Sequence, residues 1–342
     1  LHNAFAAERK ETFMLDRADF SAAHCRVGGV LEPTRLQYSR TFSNYTGHRI
    51  WIKPENLQRT GAFKARGAYN KLAKLCAGGK PAGVITASSG NHAAAVAWAA
   101  LQFGVRARVV MPEDASRSKL DAVASYGGEI IQHGIYADER KERARDIAAQ
   151  EKSIYVDSTD DEDVIEGQGT CALEILQEKS DVDVIVGPVG GGGLMSGVSR
   201  ASKVTAPRVE IVAVEPTCSS SMHQSVRAGR PVEVNVETIA DGLRTRIPGE
   251  IPYSYVSQSV DRFHQVSEDD ITDAMLLALQ RTKLLLEPSG AVALAGLLDG
   301  AVPGSDRDVV VIATGGNVDL DLLATLIRRG LRRQWGEDMR PE

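Results

Sequence analysis

Four short segments carry residue types and spacings suited to chemistry. The first, Thr60-Gly61-Ala62-Phe63-Lys64-Ala65-Arg66-Gly67, sets a lysine at the head of an expected helix, just after a turn. An ammonium is disfavoured at the positive end of a helix dipole, which lowers its pKa and favours the neutral amine. The neutral amine is the form that adds to a carbonyl to make a Schiff base. Read alone, Lys64 is an ordinary surface lysine, because exposed lysines are the rule.

The second segment, Thr86-Ala87-Ser88-Ser89-Gly90-Asn91-His92, runs from a strand end into a helix start. Free backbone N–H groups there, beside two hydroxyls and an amide, make a place for a carboxylate. The plainer alternatives are that Ser89 or Asn91 caps the helix and that His92 packs in the core. The third, Gly187-Pro188-Val189-Gly190-Gly191-Gly192-Gly193-Leu194, lets a backbone wrap an anion with no side chain in the way. It is neither a GxGxxG fingerprint nor a Walker loop. A flexible linker would not follow so apolar a strand. The fourth, Ala313-Thr314-Gly315-Gly316-Asn317, ends the last expected strand.

The elements that must position these segments alternate, short β-rich runs with longer helical patterns, as stacked βαβ units do. Strands are expected at 83–87, 106–111, 129–132 and 154–157, then at 182–189, 209–215 and 308–313. Helices follow near Asn91, Ser116 and Ala137, and after Gly193, Ser267, Pro288 and Asn317. The last three chemical segments fall at strand carboxyl ends, where ligands of open α/β sheets collect. The grouping divides the chain into a small unit at 81–160, inserted in a larger one built from 1–80 and 161–342. Residues 231–263, punctuated by Gly242, Pro248, Gly249 and Pro252, read as a long functional or interface loop. The acidic run Asp160 to Asp163 reads as a solvated lead into a helix.

Composition narrows the function classes. With 43% hydrophobic and 25% charged residues the chain is globular rather than disordered. A formal charge of -5 and the lack of a basic stripe argue against a nucleic-acid partner. The longest apolar stretch, Ala93 to Val105, is broken by Gln102 and too short for a bilayer, so no membrane partner is expected. Glu8, Arg9, Lys10 and Glu11 stand where a signal peptide would be apolar. Cys25, Cys76, Cys171 and Cys218 are scattered and read as free thiols in a reducing cytoplasm.

In this order and spacing, the four segments resemble the fold-type II pyridoxal phosphate enzymes, in particular the threonine dehydratase and serine racemase group. Ile165-Glu166-Gly167-Gln168-Gly169-Thr170, Ala240-Asp241-Gly242-Leu243-Arg244-Thr245 and Glu287-Pro288-Ser289-Gly290-Ala291 add to the likeness, which spans about Leu31 to Leu326. The resemblance implies an α/β fold like that of the tryptophan synthase β chain, with two open, twisted, mostly parallel sheets flanked by helices. It implies that Lys64 carries pyridoxal 5'-phosphate and later takes the substrate α-proton. Phe63 would lie against the ring, Asn91 would bind the ring hydroxyl, and Gly190, Gly191, Gly192, Gly193 and Leu194 would bind the phosphate. Ser88, Ser89, Gly90, Asn91 and His92 would grip the substrate carboxylate. Gly242 would close the site near the substrate amine, and Glu287 would sit close to the ring.

Thr314 matches the position that meets the pyridine nitrogen. A hydroxyl cannot keep that nitrogen protonated as an aspartate would, so the ring is a weaker electron sink, which suits β-elimination. The implied reaction is dehydration and deamination of L-threonine or L-serine to a 2-oxo acid and ammonia. A 3-hydroxyaspartate or phenylserine dehydratase, a serine racemase using Ser89 as a second base, and a non-catalytic binding scaffold are the alternatives.

Three positions qualify this. Ala62 stands where the group commonly has serine. Glu215 and Ser219 match two of three positions of a divalent-metal site, but the third is Ser221, so weak metal binding or none is expected. Arg140 matches a position able to approach the far end of a substrate, where it would favour a β-carboxylate; a solvated helix face is the plainer reading. A homodimer is expected from symmetry and family likeness. The chain stops soon after the helix that follows Thr314, which suggests an enzyme without an isoleucine-sensing regulatory domain.

Overall fold

The computed structural model describes residues 14–135 and 137–335. The run Glu8 to Glu11 and the first residues of the expected large unit lie outside the described residues. Among the described residues, ten strands form two sheets. In chain order they are Gln37–Tyr38 (β1), Arg49–Pro54 (β2), Val84–Ala87 (β3), Ala107–Met111 (β4), Glu129–Gln132 (β5), Ile154–Tyr155 (β6), Val184–Pro188 (β7), Glu210–Pro216 (β8), Arg262–Val266 (β9) and Asp308–Ala313 (β10). The larger sheet runs β1-β2-β10-β7-β8-β9 and the smaller β5-β4-β3-β6. Every pairing is parallel except the short β1–β2 ladder. The expected architecture of two mostly parallel sheets is the observed one.

Parallel strands buried on both faces read as continuous apolar runs, and β10 does so. Val309, Val311 and Ala313 enter one core, with Val184, Val186, Val212 and the helices Glu268–Thr282 and Pro288–Leu298. Val310 and Ile312 enter the opposite core, with Ile185, Ile211 and the helices Glu162–Glu178 and Gly193–Thr205. Alternation within one strand thus serves two cores.

Two expectations change. The stretch 231–263 is not one long loop: it contains the helix Glu250–Ser259 and the start of β9. Pro252 sits in that helix's first turn, where its missing N–H would have had no partner anyway, so it permits the helix. The run Asp160 to Asp163 is more than a solvated lead. Asp161 caps the helix Glu162–Glu178, Asp160 accepts from the Ile251 N–H at 3.1 Å, and Asp163 pairs with Lys71 at 2.9 Å.

The order of the large sheet positions the site. β10 lies between β2 and β7, so the turn to Lys64, the glycine segment and the Thr314 segment leave neighbouring strands at one carboxyl edge. The Ser88 to His92 turn leaves β3 of the smaller sheet.

Candidate active site

Lys64 is the first residue of the helix Lys64–Ala77, reached from β2 through two tight turns. The turn is stitched to the end of β10. Phe63 N–H donates to the Thr314 carbonyl at 3.0 Å, and Ala62 bridges Gly315 antiparallel. The Lys64 ammonium lies 5.0 Å from the Phe63 ring centroid and donates to the Ser158 carbonyl at 3.2 Å. Burial lowers its pKa to about 8, against the opposing fields of Asp157 and Glu287, and Lys141 lowers it further. The amine is therefore far closer to neutrality than a surface lysine.

Gly190 to Leu194 are all buried. The first helical bond beyond them runs from Ser196 N–H to the Gly192 carbonyl at 2.8 Å, and the N–H groups of 190–195 meet no acceptor among the described residues. Each buried donor left unpaired costs about 1–3 kcal/mol, so such a row is built for an anion. Glycine is required here for space and for conformation. A Cβ on Gly190 would stand 2.8 Å from the Leu243 Cα, and Gly192 has φ +91°. The loop lies beside the lysine, since a Cβ on Gly193 would come within 3.2 Å of the same Ser158 carbonyl.

A second row of donors opens the helix Asn91–Gln102. Ser88 N–H is taken by the Val110 carbonyl and Gly90 N–H by the Ser88 hydroxyl. The N–H groups of Ser89, Asn91, His92 and Ala93 meet no acceptor among the described residues. Neither Ser89 nor Asn91 makes a side-chain cap to this helix. The His92 side chain is the packed core histidine: it is 2% exposed, faces the Val156 carbonyl at 3.3 Å, and burial beside Lys64 lowers its pKa to about 3. Its Nδ1 is buried without a partner, and its backbone N–H stands in the donor row.

Asn91 donates from its side chain to Glu287 at 2.6 Å. Burial first, and the field of Asp241 second, push the Glu287 carboxyl up to about 8. Thr314 is 4% exposed and reaches the Ser289 carbonyl at 3.4 Å, while Ser289 accepts from Gly242 N–H at 2.9 Å. Lys64, Phe63, Asn91, Glu287, Thr314, Gly242 and both rows of donors are thus joined by a continuous set of contacts.

Arg140 departs from the plainer reading offered for it. It is 8% exposed rather than a solvated face, because its guanidinium turns inward to the Ile135 carbonyl and burial lowers its pKa. No contact joins it to the residues above among the described residues. Glu215 and Ser219 are buried, but Glu215 accepts from the N–H groups of Met222 and His223 at 3.1 and 2.8 Å, and Ser219 donates to the Leu243 carbonyl at 2.9 Å. Both side chains are thus engaged by bonds within the chain. Ser158, Ser289 and Asn317 contact residues of the site and Asp157 raises the Lys64 pKa through its field, and none of the four had an assigned role. Asp157 follows β6 at the carboxyl edge of its sheet, which is the sequence signal that could have found it.

Residues 28–315 match the family described as pyridoxal-phosphate dependent enzymes. This chain belongs to that family. It is 40% identical over 319 residues to an L-threonine ammonia-lyase of Thermotoga maritima, covering 93% of this chain and 79% of the relative. It is 38% identical over 310 residues to the L-threo-3-hydroxyaspartate ammonia-lyase of Saccharomyces cerevisiae, covering 90% and 95%. Among solved structures, maize serine racemase superposes with a TM-score of 0.87 at 34% identity, covering 94% of this chain and 99% of that one.

The enzyme's residues fit pyridoxal phosphate. A buried row of unpaired N–H groups matches a phosphate dianion, an amine with a pKa near 8 matches an aldehyde, and Phe63 supplies an apolar face beside that amine.

Proposed function

We propose that this enzyme eliminates water from a β-hydroxy amino acid, with L-threonine and L-serine as substrates, to give an enamine whose imine tautomer is hydrolysed by water to a 2-oxo acid and ammonia. The observation that carries the reading is the meeting, at the Ser158 carbonyl, of a desolvated lysine amine and a buried loop of unpaired backbone donors. Relatives named for ammonia-lyase activity support the reaction type.

Lys64 would hold the cofactor's aldehyde, residues 190–194 its phosphate, Asn91 its ring hydroxyl, and Phe63 and Glu287 its ring. Once bound, pyridoxal phosphate supplies an electron sink for the charge left when the α-proton departs. The substrate carboxylate would lie on the N–H groups of the 88–93 turn, with Ser88 and Ser89 beside it, and this fixes the Cα–H bond for transfer to Lys64. Gly242, pinned to Ser289, would close the pocket over the substrate amine. Thr314 offers the ring nitrogen a neutral hydroxyl, which leaves the charge to be discharged by loss of the β-hydroxyl.

Arg140 stays in the proposal as an approach-side residue, since its Nε is buried without a partner. The two sheets support a division into an inserted unit at 81–160 and a larger unit around it, with the substrate held between them. A homodimer is the assembly we propose, on the base rate of two-fold pairs and the exposure of Leu57, Leu285 and Leu320. Four free thiols suit a cytoplasmic setting.

The test is incubation of the holoenzyme with L-threonine, L-serine, L-threo-3-hydroxyaspartate and phenylserine. The products to assay are 2-oxo acid and ammonia, and recovered serine is analysed for its chirality. Release of 2-oxobutanoate from threonine is the expected result. Racemisation outpacing elimination, or no product from any of the four, would overturn the reading.

A further inference from the structure

The glycine-rich segment after β10 ends in Asn317, an exposed side chain that is nonetheless held by two bonds from its amide nitrogen. Its Nδ2 donates to the Thr60 carbonyl at 2.7 Å and to Asn91 Oδ1 at 2.7 Å. A Cβ on Gly61 would lie 2.4 Å from Asn317 Oδ1, so the amide is packed flat against the turn that leads to Lys64.

The direction of this chain of bonds follows from its first member. Thr60 offers a carbonyl, which only accepts, so Asn317 must turn its NH2 group toward it. The same NH2 then donates to Asn91, which must turn its oxygen to Asn317 and its own NH2 to Glu287. The orientation of the Asn91 amide is thereby fixed from the far side of the cleft, with one N–H left for a ligand oxygen.

We propose that Asn317 is a positioning residue that sets the amide orientation of Asn91, and with it the strength of the contact to the cofactor's ring hydroxyl. The inference rests on the assignment of Asn91 to that hydroxyl made above. Substitution by aspartate discriminates, because it keeps the shape while placing acceptors against the Thr60 carbonyl and Asn91 Oδ1. The Asn91 amide would then have to rotate. Alanine only removes the two bonds.

The experiment strips the cofactor, titrates it back into the apoprotein, and follows affinity and the pH titration of the bound cofactor's visible absorption. Asn317→Ala is expected to weaken affinity about fivefold, the worth of one neutral hydrogen bond. Asn317→Asp is expected to weaken it further and to shift the pH midpoint of the band, although it changes the fewest atoms. In an Asn91→Ala background the Asn317 substitutions should add nothing. Additive effects, an aspartate variant no worse than alanine, or wild-type affinity and an unshifted band in both would overturn the inference whatever the melting temperatures do. Wild-type affinity in Asn91→Ala alone would instead overturn the Asn91 assignment, and the inference with it.

Discussion

Lys64 Nζ donates to the Ser158 carbonyl at 3.2 Å, and among the described residues it has no carboxylate partner. A carbonyl holds the amine in place without the ion pair that would keep it charged. Because burial lowers the pKa to about 8 from an ordinary 10.5, the amine is protonated below about pH 8 and neutral above it. Cofactor capture by the apoprotein should therefore quicken roughly tenfold per pH unit below the midpoint and level off above it. Rapid-mixing absorbance between about pH 6 and 10 reads this directly. A rate still climbing at the upper limit would place the amine at its ordinary pKa and remove the electrostatic basis for its role.

Replacing that amine separates chemistry from folding. Lys64→Ala takes away a cation that burial disfavours, so its midpoint of thermal unfolding should match or slightly exceed the parent's without cofactor. Turnover should fall by more than about 10⁴-fold, beyond what loss of a general base alone ordinarily costs, because cofactor attachment goes as well. Steady-state assay of 2-oxo acid release beside a melting curve checks both halves. An active variant would move the catalytic amine elsewhere.

How legible this was depends on the kind of residue. The strands β7 and β10 and the glycine segment between β7 and its helix were plain, since a run buried on both faces and an unbroken set of glycines leave few alternatives. β2 was not, because Lys53 interrupts its apolar pattern. The interruption is itself buried, paired with Glu174 at 2.6 Å, and no local pattern shows a partner so distant in sequence. His92 was legible as a position and ambiguous as a side chain, since helix spacing cannot say whether its imidazole points to the core or the cleft. The solvated face expected for Arg140 failed for a similar reason: the Ile135 carbonyl that draws it inward belongs to a loop. Asn317 lay in a segment singled out for its glycines, and its partners come from two other segments.

The same network around Lys53 makes a stability prediction. Arg66, fully buried two residues after Lys64, pairs with Glu55 at 2.7 Å and with Glu174 at 2.7 Å. Arg66→Met takes the close partner from buried Glu55 and leaves Glu174 to Lys53 alone, and should cost about 3–5 kcal/mol in urea unfolding, as removal of one partner from a buried pair does. Burial would raise Glu174, but Arg66 and Lys53 outweigh it and hold its carboxyl down at about 2. A depressed acid stabilises above its ordinary pKa, and that contribution is lost as pH falls from there toward about 2. The parent should therefore lose stability through this window more steeply than Arg66→Met. Equal acid sensitivity in the two proteins would show that the network contributes little.

The phosphate loop offers the sharpest separation of one cofactor group from the rest. At Gly190 an added Cβ would stand 2.8 Å from the Leu243 Cα and 3.2 Å from its carbonyl, both backbone atoms that cannot swing aside. Gly190→Ala must therefore push the loop away from the 241–243 turn, at a cost typical of overpacking, about 1–3 kcal/mol. That displacement misaims N–H groups that have no other acceptor, so the loss should fall on the phosphate. Pyridoxal 5'-phosphate affinity is expected to drop by about ten- to a hundredfold, the same energy expressed as binding. Affinity for pyridoxal, which meets Lys64 and Asn91 but lacks the phosphate, should change little. Titrating both compounds into parent and variant apoprotein measures the difference. Equal losses for the two would mean that the substitution deforms the lysine side of the site rather than the loop, and would sink the assignment of residues 190–194 to the phosphate.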